Sequence, residues 1–118
     1  MSLPNLSQSA KMSHGNVIEV VSAAQFESIV DNEPCVVKFY ADWCPPCRAV
    51  SPEFSRLSQE YPEVKFLAVN VDQMGSVSRK NNVNAMPTFL FFDDGKEAGR
   101  IIGADIRSVQ EHIRELFT

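Results

Sequence analysis

The stretch that most narrows the fold begins at Cys35. Cys35-Val36-Val37-Lys38-Phe39-Tyr40-Ala41 is apolar at nearly every position. A strand with one solvated face alternates polar and apolar residues, whereas one covered on both faces has no need to. The run therefore predicts a central strand with helices on both faces of its sheet. Trp43-Cys44-Pro45-Pro46-Cys47 follows directly and opens a helix predicted from Cys44 to Tyr61, with Val50, Phe54, Leu57 and Tyr61 on one stripe. Pro52 lies inside that helix and is expected to kink it, because it removes a backbone donor and crowds the carbonyl of Arg48.

The flanking sequence supplies the remaining elements. Val17 to Val21 is β-branched and predicts a first strand. Ser22 with Gln25 forms a capping-box signature, followed by a helical apolar face of Phe26, Ile29 and Val30 that Asn32-Glu33-Pro34 breaks. Lys65 to Val71 reads as a third strand, and a short helix is expected over Ser76 to Asn81. Asp93-Asp94-Gly95-Lys96 is a hairpin signal between strands Thr88–Phe92 and Glu97–Ile102. Asp105 can cap a last helix whose Ile106, Val109, Ile113 and Leu116 face the core. The order is βαβαβαββα, which implies a mixed sheet with helices on both faces. No repeat or internal linker is visible.

At 118 residues the chain is one domain, large enough to bury a core without disulfide staples or a structural metal. A net charge of -4 argues against nucleic acid or an anionic membrane as partner. No apolar run approaches the length that spans a bilayer. Residues 1–15 are polar and lack the apolar core of a secretory signal, so they are expected to be a disordered tail or vector-derived residues, with Met12 an alternative start. The domain is expected to cover 16–118. Of three cysteines only two are close in sequence, which suits a working dithiol in a reducing compartment, hence a cytoplasmic protein.

The paired cysteines carry the chemistry. A thiol at a helix N-terminus sees the positive end of the helix dipole and ionises more easily. Cys44 is therefore expected to attack a substrate disulfide and form a mixed disulfide, from which Cys47 displaces the reduced product. The competing reading is a pair of zinc ligands, but Cys35, His14 and His112 lack the spacing that a second ligand pair needs. No metal or organic cofactor is expected.

Beyond this dithiol, the chain resembles the thioredoxin family from Val17 to Phe117. The matching features are Phe39-Tyr40-Ala41-Asp42-Trp43-Cys44-x-Pro46-Cys47, Pro52, the strand ending at Asp72, Met86-Pro87-Thr88, Gly95 and Gly103-Ala104. The resemblance implies an α/β thioredoxin fold: a central mixed five-stranded sheet of order 1-3-2-4-5 flanked by four helices. It also implies a cis Met86-Pro87 bond against the dithiol. Its substrate groove would comprise Trp43, Pro45, Met86, Pro87, Ile102, Gly103 and Ala104, with an extended substrate strand across it. The implied activity is reduction of protein disulfides, by a monomer recharged by a thioredoxin reductase.

Two departures qualify the resemblance. The glycine usual within the motif is Pro45, and the sequence Trp43-Cys44-Pro45-Pro46-Cys47-Arg48 is similar to tryparedoxins and nucleoredoxins, which suggests a low-molecular-weight dithiol as alternative donor. Lys38 stands where thioredoxins carry a buried acid, and the usual charged companion on the third strand is Ala68. That lysine, together with the Asn82, Pro87-Thr88-Phe89-Leu90-Phe91-Phe92 and Gly103-Ala104-Asp105 neighbourhoods, resembles the thioredoxin-like domain of proteasome-associated proteins, so a partner-docking module with secondary redox activity is the rival reading.

Lys38, Pro45 and Pro46 are the expected redox-tuning residues, and they pull in opposite directions. An ammonium near Cys44 would stabilise its thiolate, whereas two prolines offer it no backbone N–H. Equally, Lys38 could thread its stem through the core and bring its head to water. Cys35 is expected to be a small core hydrophobe. Phe89, Phe91 and Phe92 are expected in the core, and His112 on the polar face of the last helix.

Overall fold

A computed structural model describes residues 15–118. The expected tail, with His14 and Met12, lies outside these residues except at Gly15. Gly15 adopts φ +61°, and a side chain there would meet Ser55 O, while Asn16 N donates to Ser58 Oγ at 2.8 Å. The chain is thus already seated on the sheet's covering helix before the first strand begins.

The described elements are β1 (Val17–Glu19), α1 (Ala23–Asn32), β2 (Cys35–Tyr40), α2 (Pro45–Glu60), β3 (Lys65–Asn70), α3 (Gly75–Lys80), β4 (Thr88–Asp93), β5 (Lys96–Ile102) and α4 (Ile106–Phe117). Their order matches the expectation, with shifts of a residue or two at the ends. The sheet runs β1-β3-β2-β4-β5; β1, β3 and β2 are parallel, and β4 and β5 antiparallel. Strand β2 lies at its centre, as a run apolar at all but Lys38 leads one to expect.

Alternation along β2 divides two cores. Cys35, Val37 and Phe39 meet Phe26 and Val30 of α1 and Val77 of α3 on one face. Val36 turns to the other, with Val50, Phe54 and Leu57 of α2 and Val109 and Ile113 of α4. Phe89 and Phe91 join this second core, and Phe92 joins the first, so all three are interior as expected.

The caps account for where helices begin. Ser22 Oγ accepts from Gln25 N, but the Gln25 side chain reaches Val21 N at 2.7 Å rather than the N-cap amide. Asp105 Oδ1 accepts from Ser108 N. In the hairpin, Asp94 and Gly95 have φ +56° and +79° between paired Asp93 and Lys96, a two-residue loop of the primed kind. A register shift between Phe91 and Phe92, absent from the sequence reading, leaves Ala98 extra in β5. His112 is half-buried rather than on a solvated face. Its ring lies 5.1 Å from that of Phe91, in the space Gly99 leaves open.

Candidate active site

The site assembles where β2 ends and α2 starts. Cys44 is the N-cap of α2, with Pro45 and Pro46 in its first turn and Cys47 after them. Proline is tolerated there because first-turn N–H groups have no intrahelical acceptor. With prolines at both of these positions, Cys47 is the first-turn amide that can face the cap, and Cys47 N donates to Cys44 Sγ at 3.2 Å. Cys44 and Cys47 are joined as a disulfide with Cα atoms 5.3 Å apart. Both residues are buried, at 3% and 2% exposure, in a small cluster with Ala41 against which Tyr40, Val71 and Met86 pack.

Around this buried pair stands an exposed rim. Trp43 is 64% exposed, yet its position is held because Nε1 donates to Asp72 Oδ2 at 2.9 Å. Asp72 is held in turn: its N–H donates to Asn70 Oδ1, which also accepts from Gln73 N. Arg48 Nη1 donates to Asp42 O at 2.7 Å, closing the loop from β2 onto the helix. Pro45 and Pro46 are exposed on the helix end.

The other wall comes from the start of β4 and the end of β5. Met86-Pro87 is cis, as the resemblance implied, and Thr88 Oγ1 donates to Ala85 O across this turn. Gly103, at φ +105°, donates its N–H to Pro87 O at 2.8 Å, which fixes the Ile102-Gly103-Ala104 segment beside the cis bond. Ile102 is 65% exposed. Met86 packs against the Cys44–Cys47 cluster and Gly103 is tied to Pro87, so these two chain segments lie beside the dithiol.

Lys38 departs from one of its two expectations. Its head is largely withdrawn from water: the residue is 7% exposed, and Nζ donates to Ser51 Oγ at 3.0 Å. The rings of Tyr40 and Phe54 lie 5.2 and 5.3 Å from Nζ. Pairing explains the burial. Lys38 points to the α2 face of the sheet, where Phe54 covers it, and its β3 neighbour is the short Ala68. Burial holds its proton affinity below that of an ordinary lysine, and Glu19 opposes this in part.

Ser51 escaped the sequence reading. Its signal was its place one turn after Cys47, since residues four apart share a helix face. Its hydroxyl donates to Cys47 O at 3.1 Å. Cys35 is fully buried, and burial pushes its thiol up to about 12, so it is inert as a nucleophile and behaves as a core hydrophobe. Among the described residues no cluster of His, Cys, Asp and Glu could hold a metal ion, and no helix is long and apolar enough to cross a membrane.

Comparison with known proteins agrees with this geometry. The thioredoxin family model matches residues 17–115. The chain is 41% identical over 106 residues to thioredoxin Asp f 28 of Aspergillus fumigatus, covering 89% of this chain and 98% of that one. With thioredoxin-1 of Saccharomyces cerevisiae it shares 39% over 98 residues, or 82% of this chain and 95% of the relative. Among solved structures, the thioredoxin of Schistosoma mansoni superposes with a TM-score of 0.82 at 35% identity, over 89% of this chain and 99% of that one.

Proposed function

The chain belongs to the thioredoxin family and is a thiol–disulfide oxidoreductase, and on that premise we propose that Cys44 attacks and Cys47 resolves. In the reduced protein, Cys44 thiolate displaces one sulfur of a substrate disulfide, forming a Cys44–substrate bond and releasing the first substrate thiolate, which takes up a proton. Cys47 then loses its proton and attacks Cys44 Sγ. The substrate's second sulfur leaves as a thiolate and is protonated, and the two electrons of the dithiol have passed to the substrate.

The observation that carries this assignment is the position of Cys44 at the cap of α2, where the helix dipole and the Cys47 amide meet its sulfur. Because Pro45 and Pro46 withhold two amides, they tune the couple by leaving the thiolate one backbone donor. Burial of both cysteines puts recognition on the rim: Trp43, Pro45, Met86, Pro87, Ile102, Gly103 and Ala104 contact the substrate before sulfur meets sulfur. Disulfide-containing proteins are the substrates and a thioredoxin reductase the electron donor, as in the family at large. The chain acts as a monomer in the cytoplasm, with no bound cofactor.

Two measurements test the assignment. Titration in glutathione and dithiol buffers, followed by Trp43 fluorescence, should give a reversible two-electron couple. Cys47→Ser should trap protein substrates in adducts that dithiothreitol releases, whereas Cys44→Ser should trap none. Absence of a reversible couple, or capture that ignores reductant, overturns the proposal.

A further inference from the structure

We infer that Ser51 is a positioning residue that fixes the Lys38 ammonium behind the Cys44–Cys47 couple, so that Lys38 and Ser51 act on the redox equilibrium as one unit. The inference rests on the oxidoreductase reading above and adds to it a residue and a direction.

Lys38 lies in a row that crosses the sheet, with Ala68 and then Glu19 on one side and Phe89 and Ile101 on the other. Among the described residues no carboxylate comes within 4.0 Å of its Nζ. Glu19, across the space above Ala68, accepts the Tyr40 hydroxyl at 2.7 Å instead. The groups facing the ammonium are thus Glu19 from β1, Tyr40 from β2, and Ser51 and Phe54 from α2, with Asp42 beyond Tyr40. A buried cation whose direct partners are one neutral hydroxyl and two ring faces is poorly compensated.

The hydroxyl ties that charge to the backbone of Cys47. Lys38 Nζ donates to Ser51 Oγ at 3.0 Å, and Ser51 Oγ donates to Cys47 O at 3.1 Å. Two hydrogen bonds therefore join the ammonium to the resolving residue, whose own N–H meets Cys44 Sγ at 3.2 Å. Each bond in such a chain polarises the next.

The disulfide is neutral, and reduction creates the thiolate. A cation held behind the pair gains an ion to interact with in the reduced state alone, so it stabilises that state and makes the couple more oxidising. Without the Ser51 hydroxyl, the flexible lysine head is free to swing across Ala68 toward Glu19, and the dithiol loses its influence.

The test is the equilibrium constant of the full chain against a reference dithiol, measured for wild type, Lys38→Met, Ser51→Ala, the double variant and Ser51→Thr. Lys38→Met should move the constant about tenfold in the reducing direction, or ~30 mV for a two-electron couple. Ser51→Ala should move it the same way, the double variant no further than Lys38→Met alone, and Ser51→Thr should stay at wild type. A merely structural serine would change melting temperature and leave the potential where it was. If Lys38→Met does not fold, Ser51→Ala against Ser51→Thr still decides, because the pair differ in the hydroxyl at a half-buried helical position. An unmoved Ser51→Ala constant, shifts that add in the double variant, or a shift in the oxidising direction overturns the inference alone. A wild-type chain with no reversible couple overturns the oxidoreductase reading and this inference with it.

Discussion

Consider Cys35→Ala in the oxidised protein, where Cys44 and Cys47 are bonded and do not titrate. Cys35 opens β2, is fully buried, and has its thiol pushed by burial from the ordinary 9.0 to about 12, with Glu33 adding to the effect. Between these values the unfolded chain loses the proton and the folded one keeps it. The unfolded state then binds fewer protons, so stability declines as pH rises. This contribution is whole below pH 9 and is lost progressively from there to about 12. At pH 10 the unfolded thiol is mostly ionised, and the loss relative to pH 7 amounts to about 1 kcal/mol. Alanine has no proton to lose. Removing a buried sulfur costs about 1 kcal/mol at neutral pH, at the small end of large-to-small core changes. Lys38 acts in the opposite sense, because its lowered proton affinity makes stability rise with pH toward its unfolded value of 10.5, but it is present in both proteins and cancels from their difference. Urea melts at pH 7 and pH 10 should therefore show wild type ahead at neutral pH and the gap shrinking by about 1 kcal/mol at pH 10. A gap of the same size at both pH values would falsify the claim that Cys35 stays protonated in the fold.

Two further changes separate the scaffold from the groove. Phe54→Ala removes a fully buried ring that lies 5.1 Å from Phe66 and 5.6 Å from Phe89, and it uncovers the head of Lys38. The expected loss is about 3–5 kcal/mol by chemical denaturation, and a loss under about 1 kcal/mol would mean that α2 does not depend on this contact. Gly103→Ala has open space around the new methyl group but forces a left-handed φ of +105° on alanine. It should cost about 1–2 kcal/mol of stability. By shifting the segment bonded to Pro87 it should also raise KM for a protein disulfide while leaving the reduction potential unchanged. Equal effects on both would place Gly103 with the dithiol and not with the groove.

Most of the architecture could be read along the chain because it rests on local rules. The nearly continuous apolar run of β2, broken at Lys38 alone, called for cover on both faces. Asp94-Gly95 demanded a turn with positive φ, and Ser22 and Asp105 marked helix starts through bonds made within a few residues. The dithiol was legible for the same reason: two cysteines and two prolines at a strand–helix junction leave few geometries and one chemistry.

What could not be read depends on which side chains meet across the sheet. The extra residue in β5 follows from how its register against β4 accommodates Phe91 and Phe92. His112 became an interior neighbour because Gly99, on another element, left room for its ring. Lys38 shows the division most plainly. Its spacing in β2 told only that a lysine stood in an apolar run, and a stem reaching water or a charge near the thiol were equally consistent with that. Its fate was decided by Ala68 beside it, Phe54 above it and Ser51 one helical turn from Cys47, residues brought together by the stacking of α2 on the sheet. Local sequence sets backbone preference and the kind of chemistry a segment can do. Where a buried charge points is set by neighbours distant in the chain, because only the folded state removes water and makes them its partners.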